Sequence, residues 1–372
     1  MIDLTDDAYK IAQNIEDVNI YYITTLAGQV NDMVNAGPEL NIAEQREIAS
    51  LNIRNIKKEM DKAVKISTEE TNALLSKEAK NSYKSMRKFY KKKRVVQLPF
   101  NKNRRMLNQM RAIYSITDKA FTNLSRTTAM SVQYQRCIDQ SIMAITSGAE
   151  NYEVAVDRAV RQAVKRGSKV KYASGYQRRN DTAVRMNVLD GARQMQIEVN
   201  RIAGEEFGAD GVEIDAHGLC AEDHLDIQGK TFACEDYGVT NTDDLIEAIN
   251  TEEIESDRGI GEWNCQHIAT PIVIGVSKPA YSEDELNEIN EYSTEEIPEL
   301  NNATRYEASQ MMRQLETQVR ENEEQIIQAT IRNRPGEIGR YKSKNNRAKK
   351  KYKYICDKAG LRPQYNRMKI VR

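Results

Sequence analysis

Apolar residues recur at spacings of three and four through most of the first 165 positions, which predicts a run of long amphipathic helices. Proline interrupts this stretch only at Pro38 and Pro99, and the remaining composition favours Ala, Lys, Glu, Asn, Met and Ile. Ala36, Gly37 and Pro38 mark a turn between the first two helical stretches, and 95–103 reads as a connector. A further helix from about Tyr152 places Val156, Ala159, Val160 and Ala163 on one face and stops near Gly167, a natural left-handed terminator.

The pattern then shortens. Val170 and Tyr172 alternate with Lys169 and Lys171 as in a short strand, and Ser174 with Gly175 turns the chain. Asp181 or Thr182 caps the next expected helix, whose stripe is Val184, Val188, Ala192, Met195, Val199 and Ile202, with Gly204 and Gly208 ending it. Val212 and Ile214 alternate with acids, which predicts an exposed edge strand, and Ile272 to Ile274 reads as a short buried strand. A short helix is expected over 242–250. From Asn302 to about Ile331, the residues Met311, Leu315, Val319 and Ile326 form the stripe of a long helix. Glu321, Glu323 and Glu324 are expected to face water. Arg334, Pro335 and Gly336 break that helix, and a final basic helix runs to about Ala359 and Gly360.

The expected fold is therefore mainly α with a small α+β portion, in which elongated helical arms surround a compact core containing the histidines and cysteines. Three regions are drawn: helical 1–168, an acidic α+β unit over 169–300, and a long helix with a basic tail over 301–372. A length of 372 residues allows two or three domains. With 40% hydrophobic and 30% charged residues, 7 prolines and 18 glycines, collagen-like and wholly disordered chains are excluded. No run approaches the roughly 18 apolar residues of a membrane span, and the acidic start does not resemble a secretory signal. Five cysteines do not suggest a disulfide framework, so a reducing compartment is expected.

Charge changes the picture more than composition does. Lysine plus arginine and aspartate plus glutamate both total 55, yet the charges are zoned. Lys84 to Arg111 holds eleven basic residues and no acid. Glu205 to Glu299 holds 26 acids against Lys230, Arg258 and Lys278. Arg332 to Arg372 holds fifteen basic residues against Glu337 and Asp357. Lys88, Lys91, Lys92, Lys93 and Arg94 lie among aromatic residues, Arg104 and Arg105 follow the connector, and Lys349, Lys350, Lys351 and Lys353 surround Tyr352. Such segments neutralise phosphates, with tyrosines free to stack on bases, or they dock on acidic protein surfaces, this chain's own middle included. The C-terminal lysines repel one another at helical spacing, so that segment is expected to order only against phosphates or carboxylates.

All three histidines fall in the acidic region, with three of the five cysteines. His217, Cys220, His224, Cys265 and His267 are the candidate metal ligands, and zinc suits such a nitrogen and sulfur set. The three histidines are expected to meet in space. The spacing matches no standard zinc finger, and buried cysteines and hydrogen-bonded histidines without metal are the competing reading. The same residues also allow a metal-dependent hydrolase or nuclease using His224 and His267, with Asp223 and Asn264 beside them. A P-loop and the Rossmann glycine pattern are absent.

The run from His217 to His224, then Gln228, Gly229 and Lys230, then Asn264, Cys265, Gln266 and His267, Pro271, Gly275 to Ser277 and Tyr281 resembles the phage minor capsid family, relatives of the Mu F-like head morphogenesis proteins. Ala183 to Arg185 and Gly191 to Gln194 fit as well. The sequence departs from the family pattern at Ile227, where an aromatic is common, at Gln266, where arginine is usual, and in lacking arginine and proline between His217 and His224. The resemblance implies a structural virion protein, not an enzyme, found in the capsid interior or at the portal vertex and in the host cytoplasm during assembly. It implies the portal or major capsid protein as partners, packaged DNA as a further contact, and no membrane.

Overall fold

A computed structural model describes residues 4–91, 98–147, 152–254, 256, 258–261 and 265–370. Helices dominate it. Helix α1 (Thr5–Ala36) and helix α2 (Ile42–Lys91) form a long antiparallel pair. They are joined where Gly37 takes φ 61°, a left-handed conformation that glycine adopts without strain. Ile11, Ile15, Val18, Tyr22, Leu26, Val30 and Met33 of α1 recur at three and four and are all buried. Helices α3 (Arg104–Thr127), α4 (Met130–Thr146) and α5 (Tyr152–Gly167) complete a bundle around this stripe. Asn103 caps α3 by accepting the Met106 N–H.

Two short strands, β1 (Lys169–Lys171) and β2 (Gln177–Arg179), pair as a hairpin. Only the first was legible; Gln177 to Arg179 carries no apolar alternation. Helix α6 (Asn180–Phe207) follows and links the parts of the molecule. Val184 and Val188 join the bundle core, and Ala192, Met195, Val199 and Ile202 pack with α2 and α3. Gly204 does not end this helix, as expected, but lies inside it. A Cβ there would stand 2.4 Å from the Pro271 ring, so glycine permits the sheet to touch the helix. Gly208, with φ 64°, is the true terminator.

The sheet consists of β3 (Gly211–Ile214), β4 (Thr231–Ala233) and β5 (Ala269–Ile272), antiparallel in the order β4-β3-β5. Here the edge-strand expectation fails. Strand β3 is central and buried along its whole length, because Glu213 hides its carboxylate by accepting the Ala280 N–H at 3.0 Å. Strand β5 stops at Ile272, and Ile274 is exposed. Pro271 is tolerated because β5 is an edge strand. Helix α7 (Thr242–Glu252) covers the sheet through Leu245 and Ile249. Helix α8 (Glu283–Thr294) was not foreseen, although Ser282 and Glu285 form a complete capping box.

Helices α9 (Arg305–Ile331) and α10 (Pro335–Ala359) form an antiparallel hairpin with its own core of Met312, Leu315, Val319, Tyr352, Ile355 and Cys356. The expectation that the basic segment orders only against an external partner is therefore wrong for its fold, since one face of α10 is apolar enough to bind α9. Glu324 is also a correction: it is buried, not exposed to water, and Glu321 and Glu323 are half-buried. Beyond its hairpin, α9 also packs against α1 and α5. Among the described residues no helix is long and apolar enough to cross a membrane.

Candidate metal centre

The site is assembled where the sheet feeds two loops toward each other. Asp215, just past β3, accepts the Ile268 N–H at 2.7 Å, and its own N–H donates to the Ile268 carbonyl at 3.1 Å. This fixes the lead-in to β5, and with it Cys265 and His267, beside the loop that carries Cys220 and His224. Burial pushes the Asp215 carboxyl up to about 6, opposed by the Ile268 N–H. A short 3-10 turn over Glu222–His224 presents the second histidine. Gly229 then reverses the chain at φ 70°; a Cβ would stand 1.9 Å from Leu286 Cδ2 of α8.

His224, Cys265 and His267 are buried, and one potential ligand atom from each lies within 4.8 Å of the others. The ring of His267 stacks against His217 with centroids 4.5 Å apart and against His224 at 5.4 Å. The expectation that the three histidines meet is met. Around His267, Nδ1 is 3.5 Å from Cys265 Sγ, while Nε2 is 3.3 Å from Gln228 Oε1 and 3.6 Å from Cys220 Sγ. Around His224, Nδ1 is 2.9 Å from Asp223 Oδ1. Asp223 in turn accepts from Ser256 at 2.8 Å and pairs with Arg258. The remaining nitrogen of His224, Nε2, is buried without a hydrogen-bond partner, as are both ring nitrogens of His217.

Electrostatics separate the groups. Burial and the neighbouring histidines push His267 down to about 3, so its ring is neutral. Burial lowers His217, with the charge on His224 adding to the effect. His224 is raised: burial opposes its charge, but the Cys265 sulfur and Asp223 outweigh it. Cys265 is lowered by His224 against the effect of burial, whereas burial pushes the Cys220 thiol up to about 12. Cys265 and His224 thus perturb each other's charge without being aligned as a hydrogen bond.

The matching family adds independent information. The family described as phage minor capsid protein 2 matches residues 28–355. The chain belongs to that family. No curated protein and no solved structure matches it. The buried cluster is therefore part of a structural phage protein.

The charged surfaces are only partly as expected. Lys88 is exposed near the end of α2, and Lys91 is its last residue. Lys92, Lys93, Arg94 and Asn264 lie outside the described residues. Arg104 and Arg105 are exposed at the start of α3, where Arg105 pairs with Glu205 of the acidic region. Lys349, Lys350, Lys351 and Lys353 are exposed on α10. The proposed stacking role of Tyr352 fails: its ring is fully buried, and its hydroxyl donates to Glu316 at 3.0 Å and accepts the Gln364 N–H at 2.9 Å. Sequence reasoning also missed Arg258 and Gln228 as partners of the histidines. Gln228 was visible only as part of a family-like run, and nothing local marks Arg258.

Proposed function

We propose that this minor capsid protein is a non-enzymatic connector at the portal vertex, acting in head assembly and docking on the acidic surface of a neighbouring head protein through α10. The observation that carries the reading is the two-sided chemistry of that helix. Ala348, Tyr352, Ile355 and Cys356 bind it to α9, while Lys349, Lys350, Lys351 and Lys353 point outward with no ion pair among the described residues. A helix held by an apolar face presents its charges without needing them for its own stability.

Packaged DNA is the other surface such a row suits, and one experiment separates the two. A phage carrying Lys349, Lys350, Lys351 and Lys353 all replaced by glutamine is assembled, and its heads are assayed for this protein and for DNA content. Loss of the protein from heads supports docking. Normal incorporation with defective DNA retention, and a weaker salt dependence of DNA binding by the purified protein, assigns the row to phosphates instead. Unchanged heads with unchanged DNA overturn both. The hydrolase reading with His224 and His267 has less support. The cavity beside His267, which His224 does not line, is about 100 Å³, below the roughly 300–1,000 Å³ of ordinary ligand pockets.

A further inference from the structure

We propose that His224, Cys265 and His267 bind one zinc ion through Nε2, Sγ and Nδ1, leaving a fourth position that faces the small cavity beside them. The inference stands apart from the docking role of α10. It begins with which nitrogens are already engaged. Asp223 holds Nδ1 of His224, and Gln228 Oε1 faces Nε2 of His267. Each imidazole has an oxygen acceptor at its far nitrogen, the arrangement that orients metal-binding histidines, although the Arg258 guanidinium also faces Nδ1 of His224 at 3.1 Å. The free nitrogens are then Nε2 of His224 and Nδ1 of His267, and Cys265 lies beside both. Nε2 of His224 is buried with no hydrogen-bond partner, a costly condition that a metal would relieve.

Distances support the same set. Zinc bonds of about 2.3 Å to sulfur and about 2.0–2.1 Å to nitrogen place such ligands about 3.6 Å apart around a tetrahedral ion. Cys265 Sγ and His267 Nδ1 are 3.5 Å apart. One potential ligand atom from each of the three residues lies within 4.8 Å of the others, so closure around one ion requires a shift of about 1–1.5 Å and a turn of the His224 ring out of its parallel stack on His267. Two imidazoles and a thiolate, with Asp223 behind one ring and no carboxylate among the three, suit zinc better than magnesium or calcium.

Cys220 is excluded from the set by its side of the ring. It lies at Nε2 of His267, opposite Cys265, and donates its thiol proton to the Ala221 carbonyl at 3.2 Å. The fourth position opens on the cavity of about 100 Å³, lined by His217, Arg258, Gln266 and Arg313. That volume holds a water or a small anion. The unpartnered nitrogens of His217 and the guanidinium groups are placed to hold it. The metal would tie the lead-in of β5 to the turn after β3, closing the loop that carries β4 and α7.

The test uses the full chain, purified without chelators from zinc-supplemented cells and then loaded with cobalt(II). Wild type should carry one zinc per chain. Its cobalt form should show the intense visible bands of a four-coordinate centre with thiolate charge transfer, and azide should shift those bands. Cys265→Ser and His224→Gln should lose at least tenfold in affinity, while Cys220→Ser and Cys234→Ser retain wild-type metal content. Absence of stoichiometric zinc and of the cobalt spectrum in wild type overturns the site. Metal retained by Cys265→Ser, or lost from Cys220→Ser as completely, overturns the ligand set. A spectrum indifferent to azide overturns the open fourth position. If His224→Gln fails to fold, the wild-type cobalt spectrum still decides.

Discussion

Two buried polar clusters lie at the centres of two parts of this molecule, and they are built oppositely. In the helical bundle, Arg179 is enclosed by Glu16 at 3.2 Å, Asp181 at 2.9 Å and Glu324 at 2.9 Å, with Arg320 on the far oxygen of Asp181 at 3.2 Å. Each charge faces an opposite charge. Burial pushes Glu324 up to about 8, so it holds its proton at neutral pH and the knot carries less negative charge than its three carboxyl groups suggest. Beside the sheet the imidazole rings stack on one another next to Cys265, and three ring nitrogens have no hydrogen-bond partner; in the knot Glu16 Oε1 also lacks one, but every charged group there has an opposite charge beside it. The difference teaches how to tell a structural knot from a binding site. A cluster that supplies its own counter-charges fixes α1, α6 and α9 relative to one another and needs nothing further. A cluster whose imidazole nitrogens stay unmet beside a thiol has a place for something else.

The comparison is most severely tested by Arg179→Met. Removing the guanidinium that Glu16, Asp181 and Glu324 enclose strands buried charge, and about 3–5 kcal/mol of stability should be lost in denaturant unfolding. Metal content of any molecules that remain folded should not change. Equal loss of zinc would mean that the two clusters are not independent.

Next in size is chelation. If zinc binds, removing it from a protein held at 100 to 1,000 times its dissociation constant should lower stability by about 2.7–4.1 kcal/mol. The loss should be largest in hydrogen exchange of β3 and β5 and small in α1. A uniform loss over the bundle would contradict the local role given to the site.

A third effect concerns pH, and per pH unit it is smaller. Glu324 has a folded value near 8 against 4.5 when free, so between these values the folded state holds a proton that the unfolded state has released. The knot is therefore most favourable below about pH 4.5 and weakens as pH rises toward 8, by at most about 1.4 kcal/mol per pH unit. Glu16 is raised as well and acts in the same direction. Asp181 is lowered, so its contribution is lost only on acidification below its ordinary range. Glu324→Gln should flatten the slope of stability between pH 5 and 8. An unchanged slope would place the proton elsewhere.

The smallest effect should come from the lysine row. Each of Lys349, Lys350, Lys351 and Lys353 changed to glutamine should alter stability by no more than about 0.5 kcal/mol, because each is exposed and unpaired. A larger loss in thermal unfolding would mean that the row holds α10 rather than presenting it.

Much of this architecture was legible because it depends on local periodicity. The stripes of α5, α6 and α9, the break at Pro335 and the turn at Gly37 follow from residues within a few positions of each other. Strand β3 was misassigned as an edge because its alternating acids look solvent-facing. What buries Glu213 is the Ala280 N–H, far along the chain. Glu324 was misread for the same reason: three of its four neighbours at three- and four-residue spacing (Arg320, Glu321 and Gln328) are polar, and its burial follows from Arg179, distant in the chain.

The sequence by itself determined which residue types the candidate site contains, since all three histidines and Cys265 fall within family-like runs. It also determined that α10 carries a basic face. Only the tertiary structure decided which ring nitrogens are anchored and which are free, because Asp223 is a neighbour in the chain but Gln228 reaches His267 from another segment. It also decided that Cys220 and Cys265 lie on opposite sides of one imidazole, and that Arg258 braces Asp223. Periodicity reports on contacts within one element. Ligand geometry depends on directions between elements, and these are set by the pairing of β3 with β5 and by the hydrogen bonds of Asp215.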